Sequence, residues 1–242
     1  MKLYHKYASW WHVLSTPEEY KEEATLYWDI IRQYKPDVRT ALELGSGGGN
    51  NAYYLKKHVE MTLVDKSAEM LAASKKINPN CIHLVGDMRT IKLEKMFDLV
   101  FIHDAIGYMT TEQDLAKVFQ VAYQHLAPNG LLVVVPDDFT ETFEAGTYQG
   151  GNDTDQGSVR YLEWVTDQDP TDNLVEVEYL YMMKDTQGKV QTAHDSAVYG
   201  LFSKQTWQEL LQQTGFEVHF EPVEHTEVET NERFALVALK SA

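Results

Sequence analysis

Residues 41–51 read ALELGSGGGNN. Four glycines, Gly45, Gly47, Gly48 and Gly49, fall within five positions. The apolar run Ala41-Leu42-Glu43-Leu44 precedes them, and a helix-forming run from Asn50 to Lys57 follows. The pattern predicts a strand, a tight turn and the start of a helix. Glycine permits positive φ and lets backbone approach a ligand closely. The helix behind it offers unpaired N–H groups to that ligand. A dinucleotide fingerprint, G-x-G-x-x-G, wants its last glycine where this chain has Asn50. The pattern present is E-x-G-x-G-x-G, from Glu43 to Gly49. A carboxylate on the strand side of the turn repels a pyrophosphate and suits a ligand with a cationic end.

Outward from this stretch the sequence alternates strand and helix. Strands are expected at about 39–45, 61–65, 82–85, 99–102 (opened by Phe97-Asp98) and 131–135. Helices are expected at about 49–58, 67–76 (capped by Ser67) and 111–127. Short β-branched runs between amphipathic helices argue for an α/β fold with a parallel sheet covered on both faces. In such a sheet ligands bind outside the carboxyl ends of the strands. Those ends here are Gly45–Gly49, Asp65, Asp87-Met88 and His103-Asp104. Asp65 stands where an acid accepts both ribose hydroxyls of a nucleoside. Asp87 is placed to accept from an adenine amino group, with Met88 and Met70 against the ring faces.

The alternation stops at Pro136. Residues 137–157 read as an irregular loop or lid. Period-two runs at 158–167, 174–184 and 189–200, separated by turn signals, predict an antiparallel meander. A helix with a capping box at Thr206-x-x-Glu209 and a stop at Gly215 resumes the first pattern. Strands at about 216–222 and 233–240 close the chain. Six glutamates between 217 and 232 read as a solvated acidic face. At the other end, Thr16-Pro17 starts a helix with Tyr20, Ala24, Tyr27, Ile31 and Tyr34 on one face. The expected organisation is a single domain over 1–242, with an N-terminal helical cap (1–36) and an inserted lid and antiparallel sheet (137–200).

The glycine turn resembles motif I of the class I S-adenosylmethionine (SAM)-dependent methyltransferases, and the resemblance covers about 37–136 and 203–240. It implies a Rossmann-like sheet of order 3-2-1-4-5-7-6 with strand 7 antiparallel, and SAM as cofactor. By resemblance Glu43, Gly45, Ser46, Gly47 and Asn50 surround the methionine part. Asp65 and Lys66 lie at the ribose, and Met70, Asp87 and Met88 at the adenine. Ile102 and His103 lie beside the transferred methyl. The segments GDMR, FDLVFIHDAIGYM and HLAPNG, an ETF motif and a GLF ending are similar to small-molecule N-methyltransferases, and among them to the amino-sugar dimethyltransferases. This implies methyl transfer to a small molecule, more readily at nitrogen than at oxygen. His103 is the candidate weak base, since imidazole titrates near neutrality, and Asp104 orients it or holds a cationic amine. Tyr7 and Trp11 from the first segment, and Trp164, His194, Tyr199 and the 146–152 loop from the insert, are candidate substrate contacts. Core packing explains many of these aromatic side chains equally well.

Other readings stay open. An Mg²⁺-dependent O-methyltransferase would use Asp104 with Asp137 or Asp138, hard oxygen ligands of the right kind. An inert SAM-binding module and an NAD-linked oxidoreductase are the others. The formal net charge of −16 over 242 residues disfavours nucleic acid and anionic membranes as partners. The single cysteine, Cys81, excludes an intrachain disulfide and reads as a buried, inert thiol. No signal peptide and no apolar run of spanning length is present, so the expected setting is the cytoplasm, as a monomer or homodimer with no metal.

Overall fold

The computed structural model describes residues 1–224 and 233–241. The chain opens with a 3-10 turn, Ala8–Trp10, and a short helix α1, Trp11–Leu14. Thr16-Pro17 then starts a second 3-10 turn, Pro17–Tyr20, which runs into α2, Lys21–Tyr34. The Thr16 N–H donates to the Glu19 carboxylate at 3.0 Å, half of the reciprocal cap that starts this segment. The alternating part comprises β1 (Thr40–Leu44), α3 (Asn50–Leu55), β2 (Glu60–Asp65), α4 (Ala68–Ile77), β3 (Ile82–Val85), β4 (Phe97–His103), α5 (Glu112–His125) and β5 (Leu126–Val135). Ser67 caps α4 by accepting from the Met70 N–H at 3.1 Å.

The seven-stranded sheet runs β3-β2-β1-β4-β5-β12-β11, with β11 at Phe216–Val223 and β12 at Arg233–Lys240. The first five strands are parallel, and β12 is antiparallel to both β5 and β11. This is the order 3-2-1-4-5-7-6 with strand 7 reversed. Strands buried on both faces read as continuous apolar runs. Leu42, Leu44, Val100 and Ile102 are fully buried on one side of the sheet, and Ala41, Leu99 and Phe101 on the other. Each such aliphatic side chain contributes about 1.5–3 kcal/mol on burial.

The insert is a second, antiparallel sheet, β10-β9-β8-β6, with β8 at Gly157–Thr166, β9 at Leu174–Lys184 and β10 at Val190–Gly200. The expected meander is present. The expected irregular loop is in part a strand: β6, Gly146–Gly150, pairs antiparallel with β8, and β7, Asp153–Thr154, also pairs with β8. β6 is an edge strand bounded by glycines with a polar face, so no period-two apolar signal marks it. The inner face of this sheet packs Val159, Tyr181, Met183 and Ala193 against Leu3 and Val13 of the first segment.

Helix α6, Lys204–Thr214, starts earlier than its sequence suggested. Ser203, not Thr206, is the N-cap and accepts from the Thr206 N–H at 3.1 Å. Glu209 accepts instead from Gln205 Nε2 at 2.8 Å. The earlier start carries Trp207 into the core, where it is 2% exposed. Gly215 ends the helix at φ +106°. Cys81 is half-buried rather than buried, and burial still pushes its thiol up. Of the six glutamates, Glu217 and Glu224 are exposed and Glu221 accepts from the Tyr34 hydroxyl, while Glu227, Glu229 and Glu232 lie outside the described residues.

Candidate functional site

The carboxyl ends of β1 to β4 open onto a cleft of about 560 Å³, covered by the first segment and by the inner face of the second sheet. The glycine turn forms its floor. Gly45 has φ +74°, and a Cβ there would come within 2.4 Å of the Ala105 Cβ. Gly48 has an ordinary φ, but a Cβ on it would lie 2.0 Å from Trp11 Cδ1. The Trp11 indole therefore lies directly on the turn. His12 Nε2 donates to the Gly48 carbonyl at 3.0 Å, and Asn50 Nδ2 donates to the Ser15 carbonyl at 3.1 Å. These bonds fasten the first segment across the cleft.

Glu43 is 4% exposed, and its Oε2 has no hydrogen-bond partner. Burial pushes its carboxyl up to about 8. Ser46 Oγ, Asn50 Oδ1 and Asn51 Oδ1 are likewise buried without partners. Leaving a buried polar atom unpaired costs about 1–3 kcal/mol. Together with Trp11 Nε1, these atoms form a cradle around one glycine turn with hydrogen-bonding capacity left for a ligand. Their chemistry fits the amino acid end of SAM: a cationic amine for Glu43, hydroxyl and amide groups for its other polar atoms.

Asp65 is held by two backbone donors, Gly47 N–H on Oδ2 and Ser67 N–H on Oδ1, both at 2.8 Å. Burial pushes its carboxyl up, and these two bonds oppose that. The carboxylate is fixed with lone pairs left for hydroxyl groups of a ligand. Asp87 is more heavily engaged. Arg89 donates to both its oxygens, at 3.0 and 2.6 Å, and Lys66 Nζ lies 3.3 Å away. Arg89 also reaches Asp114 at 2.6 Å. The Arg89 hydrogen bonds hold the Asp87 carboxyl well below the usual carboxylate range. Met70 and Met88 line the same cleft.

His103, at the end of β4, departs from its expected role. Its Nδ1 lies 3.1 Å from Asp104 Oδ2, and its Nε2 lies 3.1 Å from the Tyr27 hydroxyl and 3.6 Å from Glu23 Oε1. Burial alone would lower its pKa, but Asp104 and Glu23 outweigh that and raise it to about 10. A raised pKa and two engaged nitrogens favour the imidazolium and oppose a role as base near neutral pH. Burial pushes Glu23 up despite the imidazolium beside it, so the firm counter-ion is Asp104, which His103 and Asp137 hold below its ordinary value. Burial, and then Asp104 beside it, push the Asp137 carboxyl well above its ordinary value. Asp104 is thus the ionised group at this end of the cleft, and its side chain is 46% exposed.

Four tyrosines complete the wall. The Tyr108 hydroxyl lies 2.9 Å from that of Tyr4 and 3.0 Å from that of Tyr199, which lies 3.1 Å from that of Tyr179. Burial holds all four well above the ordinary phenol range, so they are neutral donors and acceptors.

The cleft brings together Glu43, Gly45, Ser46, Gly47, Asn50, Asp65, Lys66, Met70, Asp87, Met88, His103, Asp104, Trp11 and Tyr199. Four expected contacts lie elsewhere. The Ile102 side chain is buried in the core, because its neighbour His103 takes the cleft-facing side of β4. Tyr7 packs with the first segment under Lys6. Trp164 is 57% exposed, and His194 pairs with Glu178 at 2.5 Å on the same outer face of the second sheet. Both have the outward parity of their strands, opposite to Tyr179 and Tyr199. Tyr4, Tyr20, Glu23, Arg89, Tyr108 and Tyr179 were not singled out as site residues, although Arg89 and Tyr108 lie inside the quoted GDMR and FDLVFIHDAIGYM segments. Only the period-two pattern of β9 pointed to Tyr179. Asp137 lines the cleft beside Asp104, while Asp138 does not. Among the described residues no three His, Cys, Asp or Glu side chains converge as metal ligands.

Residues 41–130 match the family described as a methyltransferase domain. The chain is 29% identical over 135 residues to a dTDP-3-amino-3,4,6-trideoxy-alpha-D-glucopyranose N,N-dimethyltransferase from Streptomyces venezuelae, a match spanning 55% of this chain and 57% of that protein. It is 23% identical over 207 residues to a dTDP-3-amino-3,6-dideoxy-alpha-D-glucopyranose N,N-dimethyltransferase from Streptomyces fradiae, covering 85% of this chain and 80% of that one. The crystal structure of Streptomyces venezuelae DesVI superposes with a TM-score of 0.81 at 23% identity, over 92% of each chain. The chain thus carries a match to a methyltransferase domain at residues 41–130, and its strand order and solved neighbours give it the Rossmann-like fold of the class I SAM-dependent methyltransferases.

Proposed function

We propose that this protein transfers the methyl group of SAM to a nitrogen of a small-molecule acceptor. The observation that carries the reading is the cradle of unpartnered buried atoms around Glu43, opening onto a wall of neutral tyrosines with one ionised carboxylate, Asp104. SAM supplies an electrophilic methyl on a sulfonium, so the acceptor nitrogen needs only a free lone pair and an in-line position. Glu43 receives the cationic amine of the cofactor, and Asp65 receives its ribose hydroxyls. The tyrosine wall and Trp11 exclude water from the reacting end. Asp104 accepts a hydrogen bond from the acceptor N–H, which turns the nitrogen lone pair toward the methyl. An amine with a pKa near 8 is about one-tenth neutral at pH 7, so no strong base is required. His103, held as an imidazolium, keeps Asp104 ionised and in place. It is a positioning residue rather than the proton acceptor.

The N,N-dimethyltransferase relatives favour nitrogen over oxygen as the acceptor atom. No helix among the described residues is long and apolar enough to cross a membrane. A cytoplasmic setting without nucleic acid partners agrees with the charge of −16. The outer face of the second sheet exposes Leu162, Trp164, Leu180, Met182 and Val198. Along that face Glu176 and Glu178 lie toward one end and Arg160 and Lys184 toward the other. A twofold axis through the apolar middle would set acids against bases, so a homodimer is the assembly proposed.

Calorimetric titration with S-adenosylhomocysteine, with NAD as control, tests the cofactor. Binding that Asp65→Ala weakens at least tenfold is expected. Silence toward S-adenosylhomocysteine would sink the reading. Transfer of labelled methyl from SAM across a panel of amines and matched alcohols then tests the acceptor atom, and labelled ethers without labelled amines would refute nitrogen.

A further inference from the structure

A second cavity of about 340 Å³ adjoins the cleft and shares Met1, Tyr4, Trp11 and Tyr179 with it. It lies between the first segment and the inner face of the second sheet. Its farther wall includes Glu163, Tyr161, Tyr181 and Asn152. The methyl-transfer chemistry above uses none of these side chains.

Glu163 is the unusual one. It stands on the inward side of β8, opposite Tyr179, among positions otherwise filled by valine and tyrosine. Burial pushes its carboxyl up, and the Tyr179 side chain across the ladder opposes that. Among the described residues no lysine, arginine or histidine side chain lines the cavity it faces. A half-buried carboxylate facing a cavity without a counter-charge is stabilised by a cation that enters the cavity. The nearby acid Glu19 is already occupied, by Asn152 Nδ2 at 2.7 Å and the Thr16 N–H at 3.0 Å. The guanidinium of Arg160, on the outward side, is tied to Asp153 at 2.6 Å.

The charge of the whole acceptor region points the same way. The lysine and arginine that line the cleft, Lys66 and Arg89, are both held at Asp87, the adenine end. No lysine or arginine lines the second cavity. Arg233 acts on Asp104 and Asp137 from outside the cleft lining. Residues 225–232, outside the described residues, contain no lysine or arginine in their sequence. The histidines on the cleft wall, His103 and His5, are held by Asp104 and Glu69, so among the described residues a nucleoside diphosphate would meet carboxylates and no free cationic side chain to pair its negative charges.

We propose that the second cavity is a subsite for a second ammonium group of the acceptor, held by Glu163, and that the acceptor is a free hydroxylated diamine rather than a nucleotide-linked sugar. The proposal rests on the methyl-transfer reading. Tyr161, Tyr181 and Asn152 supply the hydroxyl and amide partners that a hydroxylated ring needs, and Tyr179 joins this subsite to the wall of the cleft.

Calorimetry on the full chain saturated with S-adenosylhomocysteine tests it, with 2,6-diamino-2,6-dideoxyglucose, glucosamine and thymidine diphosphate as probes. The diamine is expected to bind at least tenfold more tightly than glucosamine, and thymidine diphosphate to give no heat. Glu163→Gln, which keeps the shape, should erase the tenfold margin while leaving S-adenosylhomocysteine affinity unchanged. A diamine that binds no better than glucosamine, a margin that survives Glu163→Gln, or tight thymidine diphosphate binding would each overturn the proposal. Failure of S-adenosylhomocysteine to bind at all would instead overturn the methyl-transfer reading beneath it.

Discussion

His103→Gln removes the positive charge that lies directly between the acids Asp104 and Glu23. In the native protein the imidazolium lies 3.1 Å from Asp104 and 3.6 Å from Glu23. At an effective dielectric of about 20, a contact at 3.1 Å is worth about 5 kcal/mol before desolvation. Asp104 is nearly half exposed, so solvent screening cuts its share to about 2–3 kcal/mol. Removing one partner of a buried pair costs about 3–5 kcal/mol, because it leaves the other charge unpaired. The loss expected for His103→Gln at pH 7 is therefore about 3 kcal/mol, a fall in Tm of about 6–12 °C for a chain of this size. The sign of its pH dependence is fixed. A group whose pKa is raised by folding, here from 6.5 to about 10, stabilises fully below 6.5 and loses that contribution as pH rises through 10. Native stability should therefore fall between pH 6.5 and 10, and the His103→Gln curve should lack this slope and approach the native one at high pH. Urea denaturation at pH 6, 7, 8.5 and 10 reads both. Parallel curves, or an NMR titration of His103 near 6.5, would refute the ion pair and restore His103 as a candidate base.

Glu43, pushed up to about 8, should lose its proton when a cationic amine binds beside it. Titration with S-adenosylhomocysteine at pH 6–7 should show a heat that depends on the ionisation enthalpy of the buffer, and Glu43→Gln should abolish that dependence. By the same linkage the native protein loses stability as pH rises from 4.5 through 8, a slope absent in Glu43→Gln. Gly48→Ala should displace Trp11, since its Cβ would fall 2.0 Å from the indole. A red shift in tryptophan emission with at least a tenfold loss of S-adenosylhomocysteine affinity is expected, and an unshifted spectrum with native affinity would show that the first segment does not seal the cleft. Trp164→Lys, on the exposed face of the second sheet, should convert a dimer to a monomer in analytical ultracentrifugation without changing S-adenosylhomocysteine affinity, and an unchanged sedimentation coefficient would place the interface elsewhere.

The strand-end edge of the cleft was legible because each of its residues sits at a fixed offset from a strand end. Glu43, Asp65 and Asp87 follow from the alternation of short apolar runs with helices, and in a parallel sheet all such ends lie on one edge. The strand order, including the reversed last strand, came from the resemblance rather than from any pattern in the residues, and the structure shows it. The 146–150 edge strand escaped because a polar strand bounded by glycines pairs on one side only and has no apolar period. The helix cap moved from Thr206 to Ser203 because both are good caps, and the burial of Trp207 chose between them.

The acceptor half was decided by tertiary structure alone. Tyr4 and Tyr20 come from the first segment, Tyr108 from the turn after β4, and Tyr179 and Tyr199 from the inserted sheet. No spacing links residues so far apart. The charge environment of His103 was likewise invisible in sequence, since an isolated histidine titrates near neutrality and only the carboxylates of Asp104 and Glu23, outweighing burial, raise it to about 10. What the sequence by itself determined was the sheet and the strand-end edge of the cleft, because hydrophobic periodicity and glycine conformation act locally. What only the folded chain decided was the charge state and membership of the acceptor wall, because these depend on which groups burial brings within a few ångströms of one another.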